Sequence, residues 1–241
     1  MMMVASVKPV TDTASCILGG VPADHTDHTD RRDAILGSAL QLILEKGMGS
    51  VSARDVARRA GVSAALVHHH FGTMEVMLAA AFSRFTIDVL AQMGAAVNPR
   101  HDPLVQLDCY LAFCSPDPDD PDVLVWLEGE LQARRSEAFN VAAADLCRRW
   151  RSFLADILEQ GARLGSWNCP DPGSSARLLM ATMDGLALQT AADGDFGRTD
   201  VLELGRRAAE LELGLPLDSL AALGGTGDNR LRLPEWAAAV S

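Results

Sequence analysis

The chain has 241 residues, 48% of them hydrophobic, and a formal net charge of −11. That length can bury one sizeable core or two small ones, and no apolar run reaches the roughly 20 residues a membrane-spanning helix needs. The acidity does not exclude nucleic acid. Residues 1–29 carry one lysine against three aspartates, residues 30–75 six basic against five acidic side chains, and residues 76–241 14 against 24, so the surplus acid belongs to the second part.

The opening stretch, MMMVASVKPVTDTASCILGG, holds one lysine and a short apolar patch around Ile17. It makes a poor signal peptide, so a cytoplasmic protein is expected. Five cysteines (Cys16, Cys109, Cys114, Cys147, Cys169) form no CxxC pair and read as free thiols. Residues 1–29, ending in the polar repeat ADHTDHTD, are expected to be a disordered tail.

A first helix opens at Asp30 or Arg31, with Ile35, Ala39, Leu42 and Ile43 at helical spacing, and ends at Lys46-Gly47. The segment VSARDVARRAGVSAALVHHHFGTME, Val51 to Glu75, then reads as two short helices hinged at a glycine. Ser52 caps the first, with Asp55 in its positive first turn. Val56 and Ala60 share a face. Gly61 supplies the positive φ a sharp turn needs, and Val62 plugs the corner. Ser63 caps the second helix, to His70, in which Val67 and Phe71 point inward. Thr73 caps a fourth helix, Glu75 to about Val97, which stops before Asn98-Pro99.

Further helices are expected at Asp102 to Cys114, Val123 to Arg135, Glu137 to Leu164, Pro172 to Ala192 and Val201 to Gly214, with acidic or glycine-containing loops at 115–122 and 165–173. Residues 215–241 read as a mobile tail. No strand alternation or internal repeat occurs. The fold class is therefore all-α: an amino-terminal three-helix, helix-turn-helix domain over residues 30–75 and a helical bundle over 76–214.

Arg32, Ile35, Ala39, Leu42, Gly47, Ser52, Val56, Ala57, Ala60, Gly61, Val62, Ser63, Val67, His70, Phe71 and Glu75 keep the order and spacing found in one family. On these residues the chain resembles the TetR family of transcriptional regulators. Trp126-Leu127, Trp150, Gly161, Gly165, Asp171, Ala176 and Asp184-Gly185-Leu186 resemble the effector domain of BetI-like regulators. The resemblance implies a dimer that binds a near-palindromic, double-stranded DNA operator and is released by a small-molecule effector, usually as a repressor.

The helix from Ser63 would enter the major groove, presenting Ser63, Ala64, Ala65, His68 and His69. Arg54 is the best-placed residue for a bidentate guanine contact, ahead of Arg58 and Arg59. Arg32, Ser52, Arg58 and Thr73 would hold phosphates. The family usually has tyrosine where His68 stands and lysine where Met74 stands, so a weaker phosphate contribution and a shallower salt dependence are expected.

Effector-pocket candidates are Tyr110, Phe113, Trp126, Glu130, Phe153, Met180 and Met183. Trp126 and Glu130 lie four apart, and an aromatic beside a carboxylate suits a cation; the BetI resemblance implies quaternary ammonium compounds, though a cage needs several aromatics and the chain has one tyrosine. A homodimer would be built from the helices Glu137–Leu164 and Pro172–Ala192, with Leu146, Trp150, Ile157, Leu179, Met183 and Leu186 as interface candidates.

No Gly-rich phosphate loop, nucleophile elbow or HExxH motif occurs, so an enzyme is not expected, nor a cofactor. His68, His69 and His70 point about 100° apart on a helix and cannot converge on a metal. The rival reading is a helical dimer that has lost specific DNA binding and works through protein contacts.

Overall fold

The computed structural model describes residues 24–117, 120–193 and 195–223. Among them lie nine α-helices and no strand: α1 Asp24–Lys46, α2 Ala53–Arg59, α3 Ala64–Phe71, α4 Met74–Ala96, α5 Pro103–Phe113, α6 Pro121–Ala133, α7 Glu137–Leu164, α8 Pro172–Ala192 and α9 Arg198–Leu213. A 3₁₀ turn, Met48–Ser50, joins α1 to α2.

Most helix starts are set by side chains written into the sequence. Ser52, Ser63, Thr73, Ser136 and Asp171 each accept a backbone N–H from the first turn of the helix that follows, satisfying donors that the helix itself leaves free. Pro103, Pro121 and Pro172 occupy first-turn positions where no N–H is needed. The long helix α7 stops at Gly165, whose φ of 76° is left-handed.

One hydrophobic cluster runs from α1 to α9. Helix α7 lies at its centre, packed by α4, α5, α6 and α8, and buries Phe139, Leu146, Leu154, Ile157 and Leu158. Phe82 of α4 is fully buried against Gly129 of α6 and the Phe139 ring. Each such large apolar side chain contributes about 1.5–3 kcal/mol. The buried Asp108 carboxylate takes two hydrogen bonds from Arg206, at 2.6 and 3.0 Å, tying α5 to α9.

Three expectations are corrected. Helix α1 begins at Asp24, so residues 24–29 are helical rather than disordered. Residues 1–23 and 224–241 lie outside the described residues, as does Cys16. The tail expected from 215 is anchored as far as Leu223. The buried Glu210 carboxylate accepts from Asp218 N and Leu220 N, and Leu220 is fully buried. Helices α6 and α9 begin at Pro121 and Arg198, earlier than expected. The Asp120 carboxylate caps α6, and Asp200 accepts from Gly197 N to start α9.

The remaining described cysteines are free thiols. No helix among the described residues is long and apolar enough to cross a membrane.

Candidate functional site

The helix-turn-helix is built around Gly61. Its φ of 66° turns the chain after α2, and Val62 N donates to Ala57 O at 2.9 Å. Helix α3 buries Val67 and Phe71, leaving Ser63, Ala65, His68 and His69 exposed on the other side. Arg32 of α1 lies over the Phe71 ring at 5.1 Å, a cation–π contact that also keeps its charge at this end. Arg54 is exposed and forms no ion pair among the described residues. Arg58 instead pairs with Asp55, and Arg59 makes two hydrogen bonds to Glu45, at 2.7 and 2.8 Å. Hydrogen bonds from Lys46 and Ser52 hold the Asp55 carboxyl well below the usual carboxylate range.

A second feature is a cavity of about 160 Å³ between α4, α5, α6, α7 and α8. Its walls include Phe85, Tyr110, Phe113, Trp126 and Trp150, and the sulfur groups of Cys114, Cys147, Met180 and Met183. Tyr110 meets Trp150 edge-on with ring centroids 6.2 Å apart. Burial pushes both the Cys114 and Cys147 thiols up to about 12, so they line the cavity as neutral groups.

Three carboxylates border this aromatic space: Asp120, Asp122 and Asp184. Burial first, and then the Asp120 charge, raises Asp122 to about 7. Burial and Glu130 raise Asp184 to about 6. Asp184 is largely exposed as a residue while neighbouring protein crowds its carboxyl, which places it at the cavity rim, where water screens part of that effect. Arg198 also borders the cavity. Its guanidinium donates to Ala112 O at 2.7 Å and to Ser115 O at the end of α5, so its hydrogen bonds go to the backbone.

Helix α6 joins the two features. Trp126 faces the cavity, while Glu128, on the other side of the helix, accepts a 2.5 Å hydrogen bond from Met48 N in the turn between α1 and α2. Its carboxylate oxygen lies 3.0 Å from where a Cβ would stand on Gly47. Gly47 has a φ of 79°, so the close approach and the turn both call for glycine.

Two family models match: the "bacterial regulatory proteins, tetR family" model over residues 35–81, and the "BetI-type transcriptional repressor, C-terminal" model over residues 107–214. The HTH-type transcriptional regulator BetI of Agrobacterium fabrum is 33% identical over 164 residues, which cover 66% of this chain and 76% of that protein. The chain belongs to the TetR family of transcriptional regulators. Among solved structures, a TetR-family candidate regulator from Rhodococcus sp. aligns with a TM-score of 0.67 at 24% identity, covering 76% of this chain and 99% of that one. A candidate regulator from Saccharomonospora viridis, solved in complex with choline, gives 0.67 at 23%, covering 76% and 96%. Both share the all-helical fold.

Within this TetR-family frame the expected site residues fall into groups. Ser52, Ser63 and Thr73 stand at the reading end, but their hydroxyl oxygens already accept backbone N–H groups. Ala64 is half-buried against the core rather than free on the outer face. His68 is exposed, and its Nδ1–H donates to Gly72 O at 3.1 Å, which holds the ring over its own helix end.

Of the pocket candidates, Tyr110, Phe113, Trp126, Met180 and Met183 border the cavity. Glu130 and Phe153 do not. Glu130 accepts the Cys147 S–H at 3.4 Å, and Phe153 stacks behind Tyr110 at 6.3 Å. Leu146 and Trp150, expected at an interface, border the cavity. Ile157, Leu179 and Met183 are buried within one chain, and Leu186 is half-buried against the same core.

The middle of α7 presents Arg148, Arg149, Ser152, Asp156 and Glu159 on its exposed side. Exposed apolar side chains form a row on α8, Leu178 and Leu188 with Ala181 and Gly185 between them, and sit on α9 as Leu204 with Leu211, while α7 exposes Val141 and Leu164 near its two ends. Sequence reasoning missed Asp122, Asp184, Arg198 and Glu128. A signal existed for Asp122, which lies four residues before Trp126 and so on the same helix face.

Proposed function

We propose that this TetR-family protein is a repressor that binds a near-palindromic operator as a homodimer in the cytoplasm and leaves it when a small cation fills the cavity. The observation that carries this reading is the path through α6. One side of that helix lines the cavity with Trp126, and the other holds the base of the reading domain through Glu128 and Met48 N. A ligand that favours one position of α6 therefore biases the placement of α3. A 100-fold preference supplies roughly 2.7 kcal/mol of coupling.

Aromatic walls with carboxylates around them suit a cation, and choline is the ligand in one of the fold neighbours. Support for the dimer comes from α8. Leu178, Ala181, Gly185 and Leu188 follow a 3-4-3 spacing along one exposed face, the pattern of a helix-packing seam, and the exposed leucines of α9 extend it. Two such faces make a four-helix interface.

The test is fluorescence anisotropy with duplex DNA from beside the protein's own gene. Tight binding that an amine or ammonium panel reverses is the expected result. Binding to no sequence above the level seen with random duplex would favour the alternative, a helical dimer acting through protein contacts. That alternative draws on the His68 ring being held at Gly72 O and on the uncharged Met74.

A further inference from the structure

Asp122 is only 5% exposed, and its Oδ1 has no hydrogen-bond partner in the protein among the described residues. The residue borders the cavity. Its backbone N–H donates to Asp120 Oδ1 at 3.1 Å, so the loop before α6 is satisfied by Asp120 and not by Asp122. Arg198, the nearby cation, bonds backbone carbonyls instead. A buried carboxylate oxygen of this kind calls for a donor.

Resting on the cationic-effector reading above, we propose that Asp122 selects an effector whose ammonium carries an N–H, a protonated primary, secondary or tertiary amine, over a fully alkylated ammonium. The aromatic walls do not make this distinction, because an aromatic face attracts either kind of cation. Asp122 does. An N–H donor gives its oxygen a charge-assisted hydrogen bond, whereas a permethylated nitrogen offers only methyl groups and leaves the oxygen buried without a donor. Asp184 cannot select in this way, since it stands at the rim where water reaches it.

The position of Asp122 gives the contact a second consequence. It lies in the first turn of α6, four residues before Trp126 and six before Glu128. A ligand held there is attached to the helix that reaches Met48 N.

Two probes of nearly equal size and without a hydroxyl make the comparison: benzyldimethylamine, protonated at pH 7.5, and benzyltrimethylammonium. Calorimetric titration of the full chain is expected to give at least tenfold tighter binding of the tertiary amine, about 1.4 kcal/mol. Asp122→Asn, near-isosteric, is expected to reduce the ratio below about threefold, while Asp184→Asn keeps it. Circular dichroism reports whether Asp122→Asn is folded; if it is not, the wild-type ratio alone decides. Equal or tighter binding of benzyltrimethylammonium by the wild type, or an unchanged ratio in folded Asp122→Asn, overturns the Asp122 assignment and leaves the cationic pocket standing. Binding of neither probe overturns both.

Discussion

Gly129 shows how little room single positions have. A Cβ there would lie 2.2 Å from the Phe82 ring, itself fully buried. Gly129→Ala forces that ring or α6 to move, so a loss of about 1–3 kcal/mol is expected in a urea melt. Asp122 makes a prediction of the opposite sign. Its carboxyl is raised from 3.8 to about 7 in the folded chain. The folded state therefore holds a proton that the unfolded chain releases, and this contribution to stability is lost as pH rises through about 7. Asp122→Asn should be neutral near pH 4 and stabilising near pH 8, on the order of 1–2 kcal/mol once water in the cavity is allowed for. Thermal melts at the two pH values check it.

At the scale of elements, α2 and α3 were legible because their determinants are local. Capping hydroxyls, a glycine that must take positive φ, and inward residues four apart are all visible in a short stretch. The same holds for α7 and α8, whose ends at Glu137–Leu164 and Pro172–Ala192 are marked by caps, a proline and a glycine. Arg54 of α2 is exposed and free of ion pairs among the described residues. Arg54→Ala should weaken operator binding by about 1–3 kcal/mol and relax specificity at one position, readable by anisotropy across operator variants. For α8, Leu178→Glu with Leu188→Glu places charge on the exposed apolar stripe. Light scattering should show a monomer, with operator affinity lost in parallel.

Across the whole molecule, the arrangement separates a reading end from an acid-rich bundle and joins them through α4 and α6. Glu128→Ala removes the hydrogen bond from Met48 N to α6 without touching the cavity wall. The variant should bind an effector with near wild-type affinity, yet lose most of the ligand-driven release of DNA. Titrating effector against a preformed DNA complex measures that coupling directly. If release were unchanged, α4 alone would carry the signal.

The amino-acid sequence by itself determined the helical class, the helix-turn-helix, the ends of several helices and the family, because capping, turn geometry and 3.6-residue periodicity act over a few neighbours. Only the tertiary structure decided which apolar faces are spent. Leu146 and Trp150 turn to the cavity, Ile157 and Leu179 to the chain's own core, and Leu178 and Leu188 are left outside. A helix has several apolar positions and no local rule for which neighbour each one meets. That choice, like the meeting of Asp122 and Asp184 on one cavity and of Glu128 with Met48 N, depends on packing between segments far apart in the chain.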